Sequence, residues 1–154
     1  MVLSAANMAE LDRLDGELKM TSVLTPELLH KVIETAGGRL SSIRQSEGLN
    51  RLDRLIEADA WTDAVFALVE LEAPAWKLWR LTCEGGEWLC SLSRRLNLSA
   101  TLDDMADGSH EVLALAILRA FVEAQYKSRA LSATSAVPQI RPMSDQMVCC
   151  DNFA

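Results

Sequence analysis

The sequence predicts an α+β fold in which one β-hairpin packs on about four helices, followed by a flexible C-terminal tail. Most apolar residues among the 154 positions recur at helical spacing. Residues 76–94 instead alternate with a period of two around a Gly-Gly pair, and small polar residues with two prolines dominate the end of the chain. We therefore divide the chain into a peripheral N-terminal helical segment, a compact α+β core and a tail: 1–47, 48–127 and 128–154.

Two helices are predicted in the N-terminal segment. The first carries three leucines at helical spacing: Leu11, Leu14 and Leu18. The second has Thr25 as its N-cap and Pro26 in the first turn, and Gly37 or Gly38 ends it in the left-handed conformation. The polar connection that follows contains residues 40–43, a candidate extra strand that would make the hairpin a three-stranded sheet.

Three more helices are expected in the core. Two short ones follow each other closely, and their apolar stripes are Leu49, Leu52, Leu55 and Ile56, then Trp61, Val65, Leu68 and Val69. The third is capped by Asp107 or Ser109 and is almost entirely apolar over residues 112–122. A helix this apolar is buried on most sides, so it forms the centre of the domain or packs against a second copy of the chain.

The stretch "WKLWRLTCEGGEWLCSLSR" predicts a hairpin with strands at about 76–83 and 88–94. Gly85 and Gly86 form its turn, because glycine tolerates the positive φ that tight hairpin turns require. Paired residue numbers then sum to 171. One face of the hairpin becomes wholly apolar: Trp79, Leu81, Cys83, Trp88, Cys90 and Leu92. Since an isolated hairpin is marginally stable, this face should pack on the helices.

Residues 48–127, from "RLDRLIEADAWTDAVFALVELEAPAW" through the hairpin to "DGSHEVLALAILRAFVEA", resemble small uncharacterised bacterial proteins. The resemblance leaves out both ends of the chain. It implies no particular activity or site residue, and it supports treating this stretch as the folded unit.

Charge and hydropathy disfavour several classes of function. The net charge of −7 repels nucleic-acid phosphate, and no dense Lys/Arg cluster offsets it, so no nucleic-acid partner is expected. No apolar run reaches the roughly 18 residues of a membrane span, and the N-terminus lacks the features of a secretory signal. We expect a cytoplasmic protein without a membrane partner, in which the four cysteines are free thiols.

Cysteine chemistry is the first candidate activity. Cys83 and Cys90 lie diagonally on the predicted apolar face, too far apart for a disulfide, and burial as small hydrophobes is the expected role of both. The alternative is a small thiol-dependent enzyme in which His110, at a helix N-terminus, activates one of them. Cys149 and Cys150 are adjacent in the tail, and their role is open.

Metal and cofactor sites are not expected. The cysteine spacing does not fit structural zinc, and the segment from Asp103 through Asp107 and Gly108 lacks carboxylates at two key positions of a calcium loop. Walker A and Rossmann spacings are missing. Glu84 and Glu87 flank the hairpin turn, where they are expected to be solvated rather than catalytic.

The leading functional hypothesis is a non-enzymatic protein-interaction or self-association module. It rests on a surplus of apolar surface: the helix at 112–122, and a second hairpin face that still carries Trp76, Leu78 and Leu89. The alternative is a monomer that folds these residues inward, with its function elsewhere. No catalytic, cofactor-binding or metal-binding residue is assigned from the sequence.

Overall fold

The computed structural model describes residues 5–38, 47–94 and 104–134. Its helices are α1 (Ala5–Met20), α2 (Pro26–Ala36), α3 (Glu47–Glu57), α4 (Trp61–Glu72) and α5 (Leu113–Thr134). Its strands are β1 (Lys77–Glu84), β2 (Glu87–Ser93) and β3 (Met105–His110). The α+β class is confirmed. The described residues form five helices, where about four were expected to cover the hairpin, and three strands rather than two. Residues 40–43 and the cysteines at 149 and 150 lie outside the described ranges.

The three strands form one antiparallel sheet in the order β1-β2-β3. Strand β3 is a correction to the sequence analysis, which expected a loop and a helix cap at Asp107 or Ser109. Its sequence, MADGSH, shows no apolar alternation. This strand carries small residues because it packs closely against α5. A Cβ built on Gly108 would lie 2.3 Å from the backbone N of Ala120 and 2.4 Å from the carbonyl O of Ala116. Only glycine allows α5 to approach the strand so closely.

Helix α5 lies at the centre of the molecule. Every residue from Ala114 to Leu118 is buried, as are the next apolar residues along the helix: Ala120, Phe121, Val122 and Ala124. One side of α5 packs on β3 and β2, and other parts of its surface contact α1, α2 and α4. The expectation that this helix forms the centre of the domain is therefore confirmed in the described residues.

The hairpin forms as predicted around its turn. Gly85 and Gly86 have φ values of +61° and +87°, and Leu81 pairs with Cys90 and Cys83 with Trp88. The predicted pairing of Trp79 with Leu92 is wrong, because the register shifts between Leu78 and Arg80. Leu78 therefore lies opposite Leu92, and Trp79 is the extra residue of a β-bulge.

Side chains of α5 hold the C-terminal end of α2. Gln125 Nε2 donates to the carbonyl O of Ala36 at 2.8 Å, and Arg129 Nη2 donates to the carbonyls of Thr35 and Ala36 at 3.2 Å each. At the other end of α2, Thr25 Oγ1 accepts from the N–H of Leu28, as predicted. The left-handed ending is wrong, since Gly37 has an extended conformation with φ −76°.

None of the helices in the described ranges combines the length and apolar character needed to cross a membrane.

Candidate functional site

Strand β1 forms one edge of the three-stranded sheet. It pairs with β2 on one side, and no described residue hydrogen-bonds to the backbone on its other side. Two large apolar side chains at its start are solvent-exposed, Trp79 by 56% and Leu78 by 43%. Sequence reasoning placed Trp79 on the buried face, which is wrong for this residue because the bulge removes it from the pairing. We refer to the free side of β1 as the β1 edge.

The opposite edge of the sheet, at β3, is occupied by side chains of α5. Arg119 Nη1 donates to the carbonyl O of Ser109 at 2.6 Å, and Lys127 Nζ donates to the carbonyl O of Met105 at 2.6 Å. Arg119 is itself fixed by Asp15, whose two carboxylate oxygens lie 2.9 and 3.1 Å from its Nε and Nη2. The two edges therefore differ, because α5 satisfies carbonyls of β3 and leaves the β1 edge open.

Charged side chains follow one another along β1. Lys77, Arg80 and Glu84 are all exposed, and none forms an ion pair with another described residue. Charges and bulges on a free strand commonly prevent indiscriminate pairing with other strands. Within the described part of the chain, the β1 edge thus combines backbone groups without a hydrogen-bond partner, exposed apolar side chains and a defined charge pattern.

The two hairpin cysteines have different environments. Cys90 is fully buried and faces α5, as expected for a small hydrophobe, whereas Cys83 is exposed on the edge strand. The expected burial of Cys83 is wrong, because α5 covers β2 and β3 and leaves the outer part of β1 uncovered. Burial, together with the nearby carboxylate of Asp107, raises the pKa of the Cys90 thiol to about 11.

His110 is not positioned to activate either thiol. Trp88 pairs with Cys83 on one side and with His110 on the other, so the cysteine and the histidine lie two strands apart, about 10 Å. The Nδ1 atom of His110 accepts a hydrogen bond from the N–H of Val112 at 2.8 Å. Among the described residues, no hydrogen bond joins His110 to Cys83 or Cys90. The high pKa of the Cys90 thiol further disfavours a thiolate there.

His110 instead lines an open polar cleft of about 450 Å³. The cleft lies between the end of α1, the hairpin tip and the start of α5, and its charged lining residues are Lys19, Glu87, Glu111 and Arg119. Arg119 is neutralised by Asp15, so the remaining charges are one cation and two carboxylates. This mixture favours neither a phosphate nor a metal ion.

The other acidic candidates form no site in the described residues. Glu84 and Glu87 pair across the hairpin tip and are both exposed, in agreement with a solvated role. Asp107 accepts a hydrogen bond from Ser91 Oγ at 2.5 Å on the neighbouring strand. In the part of the chain that the structure describes, no group of three His, Cys, Asp or Glu side chains could hold a metal ion.

The comparisons with known proteins give no family. No protein-family model matches the chain, and neither the curated proteins nor the solved structures contain a significant match. The resemblance of residues 48–127 to small bacterial proteins therefore remains a prediction.

The sequence suggested no role for Arg80, and Glu84 was considered only with Glu87, as a solvated or catalytic carboxylate. The spacing of four between Arg80 and Glu84 along a strand places both on one face, and this signal is readable from the sequence once the hairpin is assigned. The sequence does not predict that β1, rather than β2, lies at the edge of the sheet.

Proposed function

We propose that this protein is a non-enzymatic interaction module that associates with a second copy of itself through the β1 edge. The observation that carries the proposal is the difference between the two edges of the sheet. Side chains of α5 bind carbonyls of β3, whereas no described residue bonds to the backbone at the β1 edge, where Trp79 and Leu78 are exposed. A strand with free backbone groups is a template for another strand.

The environments of the two thiols favour the interaction module over the thiol-dependent enzyme. The alternative uses Cys83 or Cys90 with His110, but Trp88 lies between Cys83 and His110 in the sheet register. Cys90 is buried with a raised pKa. His110 is a diagonal neighbour of Cys90 on the adjacent strand, but no hydrogen bond among the described residues joins a thiol to a base.

The proposal is tested by the mass of the full chain in solution, measured by light scattering from about 1 µM to 1 mM at about 0.15 M salt, the range in which weak complexes dissociate. We expect the mass to rise from that of one 17.0 kDa chain to that of two. Trp79→Arg should shift the transition to at least about tenfold higher concentration, because it adds a charge to the contact.

The matched control is Val23→Arg. Val23 is an exposed apolar residue between α1 and α2, with 66% of its surface accessible, and it borders residues of those helices rather than the hairpin. This variant should associate like the unmodified chain. A mass of one chain at every concentration would rule out self-association, and an equal effect of both variants would place the contact elsewhere.

A further inference from the structure

The charge pattern of β1 selects one pairing register, and this inference rests on the proposed self-association. We propose that two copies pair antiparallel with Thr82 on the two-fold axis, so that Arg80 of each copy lies opposite Glu84 of the other. The two sheets then join into one antiparallel sheet of six strands.

Symmetry limits the possible registers. A two-fold axis that relates antiparallel neighbouring strands is perpendicular to the sheet, so each residue and its opposite lie on the same face. Since side chains alternate between faces, the two paired residue numbers must have an even sum. Pairing therefore centres on a residue of β1, and the candidates in its middle are Arg80, Leu81, Thr82 and Cys83.

The side chains distinguish these registers. An axis at Arg80 places two guanidinium groups opposite each other, and like charges in that position are destabilising. An axis at Leu81 draws the bulged Trp79 into the ladder and places Arg80 opposite a threonine. An axis at Cys83 leaves Glu84 opposite Thr82. Only the axis at Thr82 pairs each arginine with a glutamate.

The register centred on Thr82 also fits the backbone. It uses the regular part of the strand, residues 80–84, and leaves the bulge outside the pairing. In a hairpin with a two-residue turn, the residues flanking the turn form a hydrogen-bonded pair. Since this is the pair Glu84–Glu87, the N–H and C=O groups of Leu81 and Cys83 point away from β2 and can bond to the second copy.

The exposed indole has room in this arrangement. Continuing the register places Trp79 of one copy opposite Gly85 of the other, at the hairpin turn. No heavy atom lies within 4 Å of the position that a Cβ would occupy at Gly85 or Gly86. The Trp79 ring can therefore lie over the turn of the second copy, and this explains why a large apolar residue is tolerated next to the free edge.

Reversing the charges tests the register. Arg80→Glu and Glu84→Arg should each weaken dimerisation of the full chain by at least about tenfold, because each change places two pairs of like charges opposite each other. An equal mixture of the two variants should restore the dimer mass, since every opposed pair is then of opposite sign. Recovery on mixing also shows that both variants are folded. Arg51→Glu, on the exposed side of α3, is the control and should leave the mass unchanged.

The outcomes separate this inference from the proposal on which it rests. If the unmodified chain dimerises but neither charge reversal changes its mass, the register is wrong and self-association stands. If each variant is monomeric and the mixture remains so, the register is also wrong. If the unmodified chain is monomeric throughout the concentration range, both the self-association and the register are excluded.

Discussion

Gly108 occupies the point of closest approach between the sheet and α5. The backbone atoms that a Cβ would meet belong to Ala116, Arg119 and Ala120, so none of them can move without shifting the central helix. Sequence reasoning weighed Gly108 only as part of a calcium loop. Its actual role is packing, and a single sequence does not reveal a packing role without the helix against which the glycine lies.

We expect Gly108→Ala to lower the free energy of unfolding by about 3 kcal/mol or more, because the added methyl group overlaps helix backbone. Gly16→Ala is the control, since nothing lies within 4 Å of a Cβ at this exposed position in α1. It should stabilise the protein by about 0.5–1 kcal/mol. Urea denaturation measures both, and similar effects of the two changes would contradict the close approach.

Cys90 makes stability depend on pH in the alkaline range. Its pKa is about 11 in the folded protein against an ordinary value of 9.0, because burial and then Asp107 disfavour the thiolate. The folded state therefore retains the proton that the unfolded state loses. The stabilisation that results from this difference in pKa is fully present below about pH 9 and is lost as the pH rises towards 11.

The prediction is that unmodified protein loses on the order of 2 kcal/mol more stability than Cys90→Ala between pH 8 and 11. Other titrating groups are common to both proteins and cancel in the comparison. The measurement is urea denaturation at several pH values. Parallel stability curves for the two proteins would show that the Cys90 thiol does not carry this effect.

At the scale of elements, α2 is attached to the centre of the molecule by side chains that bind its last carbonyls. Arg129 is the main contact, because its guanidinium also donates to Asn7 Oδ1 of α1 at 2.8 Å. Burial lowers the pKa of Arg129, and the carboxylates of Glu10 and Glu72 oppose that shift. A cation at a helix C-terminus also interacts favourably with the helix dipole.

We expect Arg129→Met to destabilise the protein by about 2–3 kcal/mol, since the carbonyls of Thr35 and Ala36 lose charged donors in a partly buried place. Arg51→Met removes an exposed arginine of α3 and should change stability by less than about 0.5 kcal/mol. Thermal or urea unfolding distinguishes the two. A small effect for both variants would mean that α2 is held by its apolar face alone.

For strand β1, the sequence predicted the residue pairs beside the turn but not which of its side chains are exposed. The turn and the pairs nearest to it follow from glycine and from alternation, both of which are local. The exposure of Trp79 follows from the bulge, and that of Cys83 depends on how far α5 extends across the sheet. Helix α5 covers β3 and β2, so Cys90 and Leu92 of β2 are buried whereas Cys83 of β1 is exposed.

For the whole molecule, the layers place the sheet on one side of α5 and helices on the others. Pairing of two copies across an axis perpendicular to the sheet would put both α5 helices on the same side of the joined sheet. Each copy carries a net charge of −7, which opposes association over long distances. At about 0.15 M salt this repulsion is screened beyond about 8 Å, whereas directly opposed side chains still interact.

By itself, the sequence determined the α+β class, the helical stripes, the glycine turn and the hairpin pairing beside it, because each depends on residues close together in the chain. Only the tertiary structure decided that Gly108 belongs to a strand, that Trp79 is bulged and that β1 is the free edge. Those features depend on where α5 lies against the sheet, and contacts between distant segments leave no periodic pattern to read.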